Sequence, residues 1–128
     1  MLLLDTCTLL WLAADPGKLS LRARNAIRDQ VGELYVSAIS ALEIGLKHRS
    51  GRLVLPLAPA KWFAEVVEHH GLDEIPVTGA IAARSTELPP LHHDPCDRIL
   101  VATAQLRRMP IATPGQLIAV YAGVKTIW

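Results

Sequence analysis

Three acidic residues, Asp5, Glu43 and Asp97, lie far apart along the chain, with a fourth, Asp94, beside the last. Asp5 ends the apolar run Met1 to Leu4, a strand candidate. Glu43 falls in the first turns of a helix that follows a second strand candidate, Leu34 to Val36. Asp97 belongs to the first turn of a helix opened by Asp94-Pro95. In an open parallel sheet, ligands bind beyond the carboxyl ends of the strands. These positions therefore predict that the acids gather on one edge of the sheet. Carboxylates brought within a few ångströms repel, and one must take up a proton unless a cation intervenes. Hard oxygen ligands favour Mg²⁺ or Mn²⁺. Such a metal lowers the pKa of bound water and neutralises charge on a phosphoryl oxygen, which is the chemistry of phosphodiester hydrolysis.

Each acid also has an ordinary structural explanation. Asp5 is placed to cap the helix after it. Ser40-Ala-Leu-Glu43 fits a capping box, in which Glu43 only satisfies a backbone donor. Asp94 reads as an N-cap, Pro95 as the first helical residue and Asp97 as a favourable first-turn acid. The joint pattern carries the metal reading; no single residue does.

The elements that must position these acids follow from apolar runs and breakers. A short continuous apolar run such as Met1 to Leu4 suits a strand buried on both faces. Further strands are predicted at Leu34 to Val36, Glu74 to Val77, Met109 to Ala112 and Lys125 to Ile127. Helices are predicted at Thr6 to Ala14, Leu19 to Val31, Ile39 to Arg49, Pro59 to His70, Thr78 to Glu87 and from Asp94-Pro95 to about Arg108. Ser20 and Gly32 serve as cap candidates, and Asp15-Pro16-Gly17 is a strong breaker. Strands alternating with helices imply an α/β sandwich around a mostly parallel sheet of about five short strands. With 128 residues and no linker, the chain (1–128) is read as a single domain.

Composition narrows the function classes. A chain that is 51% hydrophobic is not disordered. Net charge is +1, from 13 Lys and Arg against 12 Asp and Glu, so bulk charge does not drive nucleic-acid binding. Any polyanion must meet a local basic patch. Lys18, Arg22, Arg24 and Arg28 form one candidate, and Lys47, His48, Arg49 and Arg52 another; both also read as solvated helix faces. With aromatics at 5%, no stacking platform for single-stranded RNA is evident, and Trp11, Trp62 and Phe63 read as core or interface residues. Cys7 and Cys96 give no disulfide framework. The N-terminus makes a poor signal peptide, and no stretch is long and apolar enough to span a membrane. The expectation is a cytoplasmic protein.

Four segments resemble PIN-domain proteins. They are Leu4-Asp5-Thr6-Cys7-Thr8-Leu9-Leu10-Trp11; Ser37-Ala-Ile-Ser-Ala-Leu-Glu43-Ile44 with Lys47; His92-His93-Asp94-Pro95-Cys96-Asp97-Arg98; and the ending Tyr121-Ala-Gly-Val-Lys-Thr-Ile-Trp128. The resemblance covers essentially the whole chain, and the group it is most similar to is the VapC-like toxins of toxin–antitoxin pairs. It implies a PIN-like three-layer α/β/α sandwich and a Mg²⁺-dependent endoribonuclease, held inactive by a VapB-type antitoxin. By the motif match, Asp5, Glu43 and Asp97 take the places of three active-site acids, and Asp94 that of a frequent, more variable acid beside the third. Thr6 and Thr113 are expected to support them by hydrogen-bonding a carboxylate or a metal-bound water, or else to serve as helix-start and strand-end residues. A homodimer is expected, and an antitoxin arginine reaching the acids would mimic the cation's charge.

One departure matters. The family pattern has Thr-x-Asp where this chain reads Thr113-Pro114-Gly115. Glycine offers no side-chain ligand, which puts a second metal in doubt and opens an alternative: a degenerate, non-catalytic module that binds RNA or a partner protein. A phosphatase with Asp5 as nucleophile is disfavoured, since Cys7 stands where such enzymes want a second acid. His93-x-x-Cys96 lacks the second close pair of a zinc site. His92 and His93 read as loop histidines, and Arg98 as the partner of a nearby acid or of a phosphate.

Overall fold

Leu2, Leu3 and Leu4 form β1, and all three are fully buried in the computed structural model, which describes residues 1–128. β1 is the middle strand of a five-stranded sheet ordered β3-β2-β1-β4-β5, with β2 at Leu34–Ser37, β3 at Asp73–Ile75, β4 at Ile111–Ala112 and β5 at Thr126–Ile127. Every neighbouring pair is parallel. Leu3 pairs with Tyr35 on one side and Ile111 on the other.

Alternation along β1 divides the core in two. Leu3 faces a cluster with Leu100, Val101, Ile111 and Ile118, while Leu2 and Leu4 face one with Leu9, Ile44, Trp62 and Phe63. The first cluster lies under α5 (Gly79–Glu87), α6 (Pro95–Arg107) and α7 (Gln116–Ala119). The second lies under α1 (Thr6–Ala14), α2 (Leu21–Asp29), α3 (Ala38–Arg49) and α4 (Pro59–His69). Successive side chains of a strand point to opposite faces, so a continuous apolar run requires helices on both. The result is the expected three-layer α/β/α sandwich. None of its helices is long and apolar enough to cross a membrane.

Sheet topology fixes where a site forms. From β1 the chain moves outward through β2 and β3, then crosses back to β4 and β5. The order reverses between β1 and β4, and a crevice opens at such a switch point, beyond the carboxyl ends of the strands. Asp5 follows β1 and Thr113 follows β4. α3 starts at the end of β2, and α6 starts at the same edge because it runs back toward the start of β4.

Local differences from the sequence reading have physical causes. α3 is capped by Ser37, whose Oγ accepts from the Ile39 amide, so the expected capping box at Ser40 and Glu43 does not form. β3 ends at Ile75, before Pro76, which has no amide proton for the ladder. A 3₁₀ turn at Pro16–Lys18 forms at the expected breaker, and the short α7 occupies a stretch for which no element is predicted.

Candidate active site

Asp5 is the most constrained of the four acids. Its side chain is almost fully buried, with 6% of the residue exposed. Oδ1 accepts the Thr8 amide at 2.8 Å, capping α1. Oδ2 accepts the Thr113 hydroxyl. Thr8 Oγ1 in turn donates to the Ala112 carbonyl at 2.8 Å, locking the first turn of α1 to the end of β4. Burial pushes the Asp5 carboxyl above its ordinary range; the bonds from Thr113 and Thr8 pull it back, and Glu43 adds to the rise. A carboxylate has about four lone-pair sites, and these two bonds leave about half of them for another ligand.

Glu43 lies in the second turn of α3 and pairs with Lys47 one turn on, Nζ to Oε2 at 3.5 Å. Asp94 caps α6 as its motif implied, with Oδ1 accepting the amides of Cys96 at 2.9 Å and Asp97 at 3.2 Å. Pro95 takes the first helical position, where its missing amide proton costs nothing.

Asp97 carries the clearest electrostatic signature. Its carboxyl is pushed up to about 7, first by burial and then by the charges of Asp94, Glu43 and Asp5, with Lys47 opposing. The four acids therefore share one field at the carboxyl edge of the sheet. A groove of about 360 Å³ opens beside them, lined by Glu43, Lys47, Arg52, Asp94 and Cys96 among others. Burial, and then the charges of Glu43, Asp94 and Asp97, raise the Cys96 thiol to about 11, so it stays protonated.

No group of three or more His, Cys, Asp and Glu side chains stands close enough together to hold a metal ion in this arrangement, neither the four acids nor the pair His93 and Cys96. That spacing is compatible with Mg²⁺, which keeps several waters and uses only one or two carboxylates directly. The donor set itself, all hard oxygen and crowded with like charge, fits that ion.

The two threonines differ. Thr113 holds Asp5 directly and also accepts the Gly115 amide at 2.9 Å. Thr6 reaches no carboxylate; its hydroxyl meets Ser40 Oγ at 2.9 Å and ties the start of α1 to the start of α3. Gly115 has an ordinary backbone (φ −71°), so its conformation does not demand glycine. An added Cβ would lie 3.1 Å from Thr113 Oγ1, crowding the hydroxyl that holds Asp5.

Two residues acquire roles that the sequence reading missed. Arg98 pairs with no acid. Its guanidinium donates to the carbonyls of Ser85, Leu88, Pro89 and His92 and to the Tyr121 hydroxyl, fastening the loop before α6. His92 is buried: Nδ1 is 2.6 Å from the Tyr121 hydroxyl and Nε2 is 3.5 Å from Asp97 Oδ2. Only the appearance of His92, Arg98 and Tyr121 within the quoted motifs pointed toward them.

The five-stranded parallel sheet with its switch point between β1 and β4 defines the class of fold, and comparison with known proteins identifies the family. The PIN domain family model matches residues 2–123, and the chain belongs to that family. Ribonuclease VapC22 of Mycobacterium tuberculosis (strain ATCC 25618 / H37Rv) is 34% identical over 103 residues, covering 80% of this chain and 77% of its own. Among solved structures, DNA-bound VapBC from Salmonella typhimurium superposes with a TM-score of 0.70 at 15% identity, covering 98% of this chain and 95% of the other. VapBC2 from Rickettsia felis, bound to a promoter DNA fragment, gives 0.71 at 10% identity, with 98% and 96% covered. A toxin–antitoxin complex from Klebsiella pneumoniae gives 0.66 at 22%, with 97% and 95% covered. At these identities the superpositions establish the fold.

Proposed function

We propose that this chain is a single-domain, Mg²⁺-dependent endoribonuclease toxin of the VapC type, cytoplasmic and neutralised by a VapB-type antitoxin. The observation that carries the reading is the raised carboxyl of Asp97 amid Asp94, Glu43 and Asp5 at the sheet's switch point. Burial first, and then this crowding, disfavours charge until a cation arrives. The 34% identity to a named ribonuclease supports the choice of RNA as substrate.

Asp5 and Asp97 would hold the ion, with Glu43 and Asp94 completing its surroundings, and Mn²⁺ would serve in its place. When bound, the ion lowers the pKa of water and offsets charge on a phosphoryl oxygen. Thr113 keeps Asp5 oriented, so no rotamer search accompanies binding. Lys47, beside Glu43, and Arg52, on the groove wall, are placed to attract the RNA backbone. The same acidic pocket would accept an antitoxin arginine, whose guanidinium matches carboxylates in charge and shape. A homodimer is the expected assembly.

Incubation of the purified chain with total RNA and tRNA tests this reading. Cleavage is expected with Mg²⁺ or Mn²⁺, is stopped by EDTA and is lost in Asp5→Asn. That variant keeps the capping oxygen and hence the fold. Gly115 favours one alternative, a module that binds RNA or a partner protein without cutting. RNA binding without cleavage under every divalent ion would establish that alternative.

A further inference from the structure

We propose that Arg98, Tyr121 and His92 form a donor relay that fixes the tautomer of His92 and so positions the carboxylate of Asp97. Its final step rests on the reading of Asp97 as a metal-holding acid; the relay itself does not.

The direction of each bond follows from what each group can donate. A guanidinium only donates. Arg98 Nη1 lies 3.2 Å from the Tyr121 hydroxyl oxygen, which therefore accepts. Tyr121 is itself buried, with 2% exposed, so its one phenolic proton needs an acceptor inside the protein. His92 Nδ1, at 2.6 Å, is the acceptor in range. A neutral imidazole that accepts at Nδ1 carries its proton on Nε2.

That Nε2 is buried and has no hydrogen-bond partner within reach. The group it faces is Asp97 Oδ2, at 3.5 Å. Such an orphan inside a protein asks for an explanation. Asp97 lies in the first turn of α6 with its side chain only partly buried. A small rotation of that side chain brings Oδ2 into hydrogen-bond range. One carboxylate oxygen is then held by His92, and the other remains for a cation. Arg98 anchors the far end through four backbone carbonyls, so the relay starts from a fixed point. His92 is thus a positioning residue that orients an acid through its other oxygen, as outer-shell partners of metal ligands do.

The test begins on the metal-free protein, with ¹⁵N–¹H long-range correlation spectra of the histidine rings near neutral pH. His92 is expected to show an unprotonated Nδ1 and a protonated Nε2. Tyr121→Phe should shift the ring toward the opposite tautomer, and Asp97→Asn should move the Nε2 proton resonance. Mn²⁺ titration follows: His92→Phe should weaken binding about tenfold, and His92→Gln, whose amide N–H can stand in for Nε2–H, should recover most of the loss. A wild-type ring protonated on Nδ1, alone or with Nε2, overturns the relay. The expected tautomer with unchanged Mn²⁺ affinity in both His92→Phe and Tyr121→Phe overturns the positioning role; Tyr121→Phe removes one oxygen and serves if His92→Phe fails to fold. Unchanged affinity in Asp97→Asn instead removes Asp97 from the metal site, and the ring spectra still decide the relay.

Discussion

Replacing Asp97 with asparagine removes a charge that the metal-free fold accommodates poorly. Lifting the Asp97 carboxyl from 3.8 to about 7 corresponds to about 4 kcal/mol, at roughly 1.4 kcal/mol per pH unit. The side chain keeps 29% of its surface exposed, and solvent screening brings the expected net effect to about 2 kcal/mol. The sign follows from linkage. The unfolded carboxyl ionises near 3.8 and the folded one near 7, so the unfolded state gives up its proton first and wild-type stability falls as pH rises between those values. Asp97→Asn lacks that term. Below the lower value the two proteins should match; above the upper one the variant should be more stable, with a melting temperature roughly 8 °C higher. Thermal unfolding in EDTA from about pH 3 to 8 measures this directly. Adding Mg²⁺ at pH 8 should raise the wild-type melting temperature and leave the variant's unchanged. A variant no more stable than wild type at pH 8, or a difference independent of pH, would refute the claim that burial and the neighbouring acids together disfavour the Asp97 charge.

Other perturbations separate charge from structure. Asp94→Asn keeps an equally good N-cap for α6, so its stability should hold within about 0.5 kcal/mol while Mn²⁺ binding weakens; unchanged affinity and cleavage would remove Asp94 from the site. Arg98→Ala strands four carbonyls and the Tyr121 hydroxyl. It should cost about 3 kcal/mol or more and make the end of α5 and the 88–92 loop protease-sensitive, as limited proteolysis would reveal. Cys96, buried with a thiol near 11, should react with iodoacetamide at pH 8 far more slowly than an unfolded control; rapid alkylation would contradict the packing of α6 against the acids.

Much of this architecture was legible because local chemistry dictated it. Leu2 to Leu4 had to be a strand buried on both sides, and an acid directly after it had to fall at the sheet's carboxyl edge. Asp94-Pro95 announced a helix start without ambiguity. Ser37 and Ser40 show the limit: both are capping residues by type, and only the position at which β2 ends selects Ser37. α7 was hidden because four residues after Pro114-Gly115 are too few to show a helical period. The relay of Arg98, Tyr121 and His92 was illegible for another reason. Its members are up to 29 positions apart, and no local periodicity encodes a contact between a loop, a helix and the segment after α7.

The central claim is that Asp5 and Asp97, with Glu43 and Asp94 around them, hold a divalent ion at the β1–β4 switch point. Anomalous X-ray scattering from crystals of the protein grown with Mn²⁺ tests it most directly. The account predicts a single strong peak bonded to oxygens of Asp5 and Asp97, absent from crystals of Asp5→Asn. A peak elsewhere on the surface, or none beside these carboxylates at saturating Mn²⁺, would contradict it.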